Sequence, residues 1–143
     1  MQGQMTVTRE YIEERINNWE LRINSLFDEI QLWISERPEW SAERGDVMQR
    51  HEHLMREYEV SPKRLPTLAL RRGSSSLRFV PSALWVAGAN GRLNITTNTK
   101  QYILVDRGGK NGDASNWRLA DPEMRLAHAP FDKEAFFGIL DEN

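Results

Sequence analysis

Histidine is the side chain that most often moves protons near neutral pH and binds transition metals, and the chain has three: His51, His53 and His128. His51 and His53 stand two apart in a segment of helical pattern. Two residues on a helix point about 200° apart, so this pair cannot share one ion as an i, i+4 pair does. His51 is read as bordering a helix seam, His53 as facing water, and His128, between apolar residues ahead of Pro130, as a loop residue at the edge of the core. With no cysteine in the chain, thiol nucleophiles, thiolate zinc sites, iron–sulfur clusters and disulfides are excluded, which fits a reducing compartment.

The other chemical groups are as sparse. Gly88-Ala89-Asn90-Gly91 ends in a turn rather than opening a helix, and no Gly-Lys-Ser or Gly-Lys-Thr phosphate loop occurs. The stretch Arg107 to Ser115 is rich in Gly, Asn and Asp and could grip an anion, but reads first as a connection between strands. Ser74 to Ser76 have no histidine nearby in sequence, and no Gly-x-Ser-x-Gly elbow exists. Glu13-Glu14 and Asp28-Glu29 flank a greasy stripe, where carboxylates normally form the solvated face. No catalytic residue, metal ligand or cofactor is assigned, and the reading leans away from an enzyme.

Charge is the feature that stands out. The chain carries 19 basic and 21 acidic residues, a net −2, but the near-neutrality is a cancellation. Residues 1–60 hold 7 basic and 13 acidic groups, residues 61–110 hold 9 basic groups against Asp106 alone, and residues 111–143 hold 3 basic and 7 acidic groups. Two explanations compete. The cations can pair with the acidic helices of the same chain or of a second copy, or they can present a surface to an outside macromolecule.

These residues need elements to position them. Ile12, Ile16, Trp19, Ile23, Leu26, Ile30 and Trp33 recur at spacings of 4 and 3, which predicts an amphipathic helix over residues 9–37. Thr8 is its N-cap and Pro38 its stop. Val47, His51, Leu54 and Tyr58 repeat the spacing and predict a second helix from Ser41 or Asp46 to Tyr58, completing a helical hairpin with its bend at 38–41. Beyond Pro62 the pattern alternates, predicting strands at 67–71, 76–80, 83–87, 92–97, 101–105 and 116–119. Asn90-Gly91 accepts the positive φ of a two-residue hairpin turn, which would set Val86 opposite Ile95 and Leu84 opposite Thr97. A second turn at Asn98-Thr99 pairs Ile95 with Tyr102 and Leu93 with Leu104. Asp132 caps a short last helix whose Phe136, Phe137 and Leu140 must dock, with Phe131 stapled to Phe136.

The fold expected is therefore α+β: an N-terminal helical hairpin over residues 1–60, then over 61–143 an antiparallel meander of five or six strands with a short C-terminal helix, together one cooperative domain. The function expected is that of a non-catalytic interaction module. Its partner, a protein or a second copy, would meet a basic sheet face through Arg71, Arg72, Arg78, Trp85, Arg92, Lys100 and Arg107. Self-association as a homodimer would use Ile16, Trp19, Ile23, Leu26, Ile30 and Trp33, because the first helix is longer than the second can cover. Nucleic acid binding through the same basic region is the alternative, and a small enzyme whose site assembles only in the fold is the third. No apolar run approaches the ~20 residues of a membrane span, so no membrane partner is expected and the location expected is the cytoplasm.

Overall fold

A computed structural model describes residues 7–109, 114–121 and 129–143. His128, Lys110 and the middle of the 107–115 loop lie outside the described residues. The elements run α1 (Arg9–Ile34), β1 (Ser41–Met48), α2 (His53–Glu57), β2 (Arg64–Arg72), β3 (Ser75–Ala83), β4 (Arg92–Thr97), β5 (Gln101–Asp106), β6 (Trp117–Ala120), β7 (Ala129–Pro130) and α3 (Lys133–Asp141). The protein is α+β, with an N-terminal helix, an antiparallel sheet of seven strands in the order β1 to β7, and a short C-terminal helix. No described helix is long and apolar enough to cross a membrane.

The 26-residue α1 forms as its periodicity dictates. The Thr8 side chain accepts from the Tyr11 amide at 3.1 Å, which satisfies one of the first-turn N–H groups that have no partner within the helix. Its apolar stripe packs on one face of the sheet, where Leu68, Leu70, Leu77, Phe79, Leu93, Ile95, Tyr102 and Leu104 are buried with it. Phe136, Ile139 and Leu140 of α3 complete the same core. Asp132 caps α3 by accepting from the Ala135 amide at 2.9 Å, and Phe131 stands edge-on to Phe136 with centroids 6.3 Å apart. The β4–β5 hairpin has the register expected of a turn at Asn98-Thr99, Ile95 opposite Tyr102 and Leu93 opposite Leu104.

Two expectations are corrected. The helical hairpin does not form: residues 41–48 are edge strand β1, paired along its whole length with β2, and α2 is one short turn over 53–57. Helical spacing between Val47 and Tyr58 therefore spans two different elements. Arg44 anchors the strand to α1, where its guanidinium donates to Gln31 Oε1 at 2.7 Å, Asn24 Oδ1 at 3.0 Å and Asp28 Oδ1 at 2.5 Å. Gly45 leaves the strand room to close on β2, since a Cβ there would lie 2.9 Å from Thr67 Oγ1.

The second correction concerns Asn90-Gly91. Residues 83–87 do not form a strand opposite 92–97. Instead β4 pairs directly with β3, Phe79 opposite Ile95 and Leu77 opposite Thr97, and residues 84–91 form a loop between them. The positive φ of Gly91 (126°) was legible, but its use is packing: a Cβ there would overlap the Trp19 ring. Asn90, 2% exposed, is a hydrogen-bond hub. The two unforeseen strands, β1 and β7, bring the sheet to seven.

A buried polar knot joins α1 to the far half of the sheet. Asp106, fully buried at the end of β5, accepts from Arg22 Nη1 at 2.8 Å, the Gly108 amide at 2.9 Å and the Asn116 amide at 2.8 Å. Arg22 Nη1 also donates to the Asn90 carbonyl at 2.8 Å, and its guanidinium lies 4.9 Å from the Trp19 ring centroid. Burial lowers the Arg22 pKa, opposed by the hydrogen bond and charge of Asp106. Because desolvation is the larger effect, the pair adds little net stability, yet breaking it leaves a stranded charge. Asp106→Ala is expected to cost about 3–5 kcal/mol in urea unfolding. Arg22→Met should cost less than Asp106→Ala, because the carboxylate keeps its two amide donors.

At the other end, Tyr102 donates its phenol O–H to Glu142 at 2.6 Å and helps tie α3 to β5. Burial first, then the Glu142 bond, push its pKa up to about 12. A phenol raised above its unfolded value of about 10 stabilises the fold fully below that pH and loses the contribution as pH rises toward 12. Absorbance titration should show one of the three tyrosines ionising late, a step missing in Tyr102→Phe.

Candidate interaction surface

Side chains alternate across a strand, so each paired register also defines rows of neighbours on a face. The inner rows are the core. The buried apolar residues of all three helices belong to that core, which leaves the opposite sheet face without a helix over it among the described residues. One outer row runs Glu43, Ala69, Arg78, Thr96 and Gln101 across β1 to β5. The next includes Val80, Asn94, Ile103 and Ala120, and a third Ala83, Arg92, Val105 and Arg118. Arg71, opposite Ser76, lies one row beyond Arg78 on the neighbouring strand.

This face brings together Arg71, Arg78 and Arg92 of the residues expected from the sequence. Arg71 and Arg78 are exposed and make no ion pair among the described residues. Among the described residues, half-buried Arg92 bonds only to Asn94 Oδ1, at 3.2 Å. The carboxylate nearest in register is Glu43, two strands from Arg78 on the edge of the sheet.

Three of the other expected residues, Arg72, Lys100 and Trp85, lie elsewhere. Arg72 alternates to the helix side, where it stacks 4.9 Å from the Trp40 ring centroid and donates to the Asn143 carbonyl. Lys100, near the β4–β5 turn, pairs with Asp121 at 2.5 Å. Exposed Arg107 directly follows β5, two residues past outer-row Val105, so alternation carries it to the side of the sheet face. Trp85 is in the β3–β4 loop, 5.7 Å from the Arg15 guanidinium, and is not part of the sheet.

The stripe expected to drive self-association is inside the chain's own core. Ile16, Trp19, Ile23, Leu26 and Ile30 are buried, and Trp33 packs on Phe131 and Phe136 with centroids 5.9 and 5.7 Å apart. A second copy could reach them only by displacing the sheet. The reasoning that the helix outlasts its cover failed because a sheet, not a second helix, covers it.

Sequence reading missed Arg118 and Gln101 on this face. Register would have found Arg118, since it stands across Val105 from Arg92. The arrangement offers guanidinium forks and neutral side-chain donors on a pleated surface with Val80 and Ile103 among them. Among the described residues, no group of three His, Asp or Glu could hold a metal ion. Phe79, Tyr102 and Trp117 are buried, so the basic face carries no aromatic platform.

Comparison of the chain with protein families, curated proteins and solved structures finds no match.

Surface charges that make no tertiary contact contribute little to folding. Arg71→Gln and Arg78→Gln are therefore expected to leave the free energy of urea unfolding within about 0.5 kcal/mol of the parent. Arg44→Ala, which removes three bonds to α1, should lower it by more than either.

Proposed function

We propose that the chain is a non-catalytic binding module that receives an acidic protein surface on the helix-free face of its sheet. One observation carries the reading. On the helix side, Arg22, Arg37 and Arg44 each have a carboxylate partner, Asp106, Asp141 and Asp28, whereas Arg71, Arg78 and Arg92 on the bare face have none. Internal complementarity thus accounts for those three helix-side arginines and, among the described residues, leaves the three on the sheet face over. Guanidinium forks favour carboxylates and phosphates alike. The inward turn of the aromatic side chains favours protein over single-stranded nucleic acid, whose binding gains much from base stacking.

The test measures fluorescence anisotropy of a labelled poly-glutamate peptide and of a labelled DNA duplex against the full chain. The peptide should bind, weaken as salt rises, and lose about tenfold or more in affinity when Arg71, Arg78 and Arg92 are all changed to Glu. Arg9→Glu, at the start of α1 and away from the face, should change the affinity far less. Duplex binding tighter than the peptide and lost in the same triple variant would replace the protein partner by nucleic acid. Equal binding by the triple variant and the parent would end the proposal.

A further inference from the structure

Arg15, like Arg72, is a helix-side arginine without a side-chain carboxylate partner among the described residues. It lies half-buried on the flank of the α1 stripe and reaches the β3–β4 loop. Nη2 donates to Asn90 Oδ1 at 2.5 Å, and Nη1 reaches Tyr11 Oη only at 3.5 Å. Nε is shut off from water and has no acceptor. No carboxylate lies within ion-pair distance among the described residues. The positive charge is felt nearby, because Arg15 is one of the groups that lower the Arg22 pKa, after the larger effect of burial.

Beside this guanidinium is an open cavity of about 350 Å³ lined by Arg15, Trp85, Val86, Ala87 and Ala89. Only Arg15 among them is charged. The loop wall is held in several places. Glu52 accepts from the Leu84 amide at 2.9 Å and the Trp85 amide at 3.1 Å. Val86 and Ala89 form a β-bridge, and the Asn90 amide donates to the Asp106 carbonyl at 2.6 Å. The cavity is thus a fixed feature of the fold, open on one side, within the lower part of the size range of small-molecule sites, and walled by the Trp85, Val86, Ala87 and Ala89 segment and the Arg15 guanidinium.

We propose that this cavity binds a small monocarboxylate with a flat apolar body, its carboxylate on Arg15 and its body against Trp85 and Val86. A single uncompensated guanidinium matches one carboxylate in charge and shape. A phosphate dianion would call for a second cation, and Arg22, which feels the Arg15 charge, is already committed to Asp106. The short side chains of Ala87 and Ala89 leave room for the body, and the Trp85 ring offers it a flat surface. The site is separate from the basic sheet face, and the two can fail independently.

Benzoate is the probe and benzyl alcohol its uncharged control, each titrated into the full chain while amide and indole NMR signals are followed, with Trp85 assigned through Trp85→Phe. Benzoate should shift the Trp85 indole and the Ala87 and Ala89 amides saturably, and bind about tenfold or more tighter than benzyl alcohol. Arg15→Met should remove that preference, whereas Arg78→Gln on the sheet face should leave it intact. Val86→Trp fills the cavity from the opposite wall without touching the Arg15 bonds, and should block benzoate even if Arg15→Met disturbs the fold. Equal shifts with both probes, no shift with benzoate, or undiminished binding by Val86→Trp would each overturn the proposal.

Discussion

A carboxylate taken wholly out of water must find donors for its lone pairs, and Asp106 finds them on three different pieces of chain. Arg22 comes from the first helix, the Gly108 amide from the loop that follows β5, and the Asn116 amide from the approach to β6. The same knot holds Asn90, so the β3–β4 loop, the end of β5 and α1 are tied at one point. Unpaired, any of these groups would carry a desolvation penalty, and the penalty is what makes the arrangement specific. The adjacent close approaches belong to the same constraint. Gly91 lies against the Trp19 ring, and a Cβ on Gly109 would meet Arg22, so helix, loop and strand end can come together only with glycine at those positions.

From that tie follows the division of the molecule into two sides. With α1 and α3 both on one face, the apolar side chains of alternating strands have a core to enter and their outward neighbours do not. The helix side has neutralised several of its cations. Arg44 is bound to three α1 side chains, Arg37 to Asp141, and Lys63 to Glu20 at 2.7 Å. The charge segregation along the chain is therefore partly internal complementarity, as one of the two competing explanations held. It is not complete, because Arg71, Arg78 and Arg92 alternate to the face that no acidic helix meets. Arg15 is left over for a different reason: its reach ends at a neutral amide, Asn90, rather than at a carboxylate.

The candidate surface was half legible. Arg71, Arg78 and Arg92 could be named from the basic composition of residues 61–110, but composition does not say which way a side chain points. Arg72 follows Arg71 by one residue and so faces the helices, where Trp40 and the end of α3 engage it. Trp85 was placed beside Arg92 by treating 83–87 as a strand, and the loop removes it from the sheet. The Arg15 cavity was not foreseeable, since its walls come from the second turn of α1 and from residues some seventy positions later.

Sequence alone determined α1, the β4–β5 hairpin register and the capped last helix, because each depends on contacts within a few residues: a repeating apolar stripe, a cap that bonds three positions on, a tight turn. Tertiary structure decided the rest. Residues 41–48 became strand because β2 and Arg44's partners on α1 were there to receive it, against a helical spacing that local periodicity supported. Asn90-Gly91 served packing and a hydrogen-bond hub instead of a hairpin, through bonds to Arg15 and Arg22 that span 75 and 68 positions. Which arginines are neutralised was likewise settled by partners distant in the chain. Short-range patterns carry the backbone's local choices, whereas burial and charge pairing depend on where the whole chain has gone.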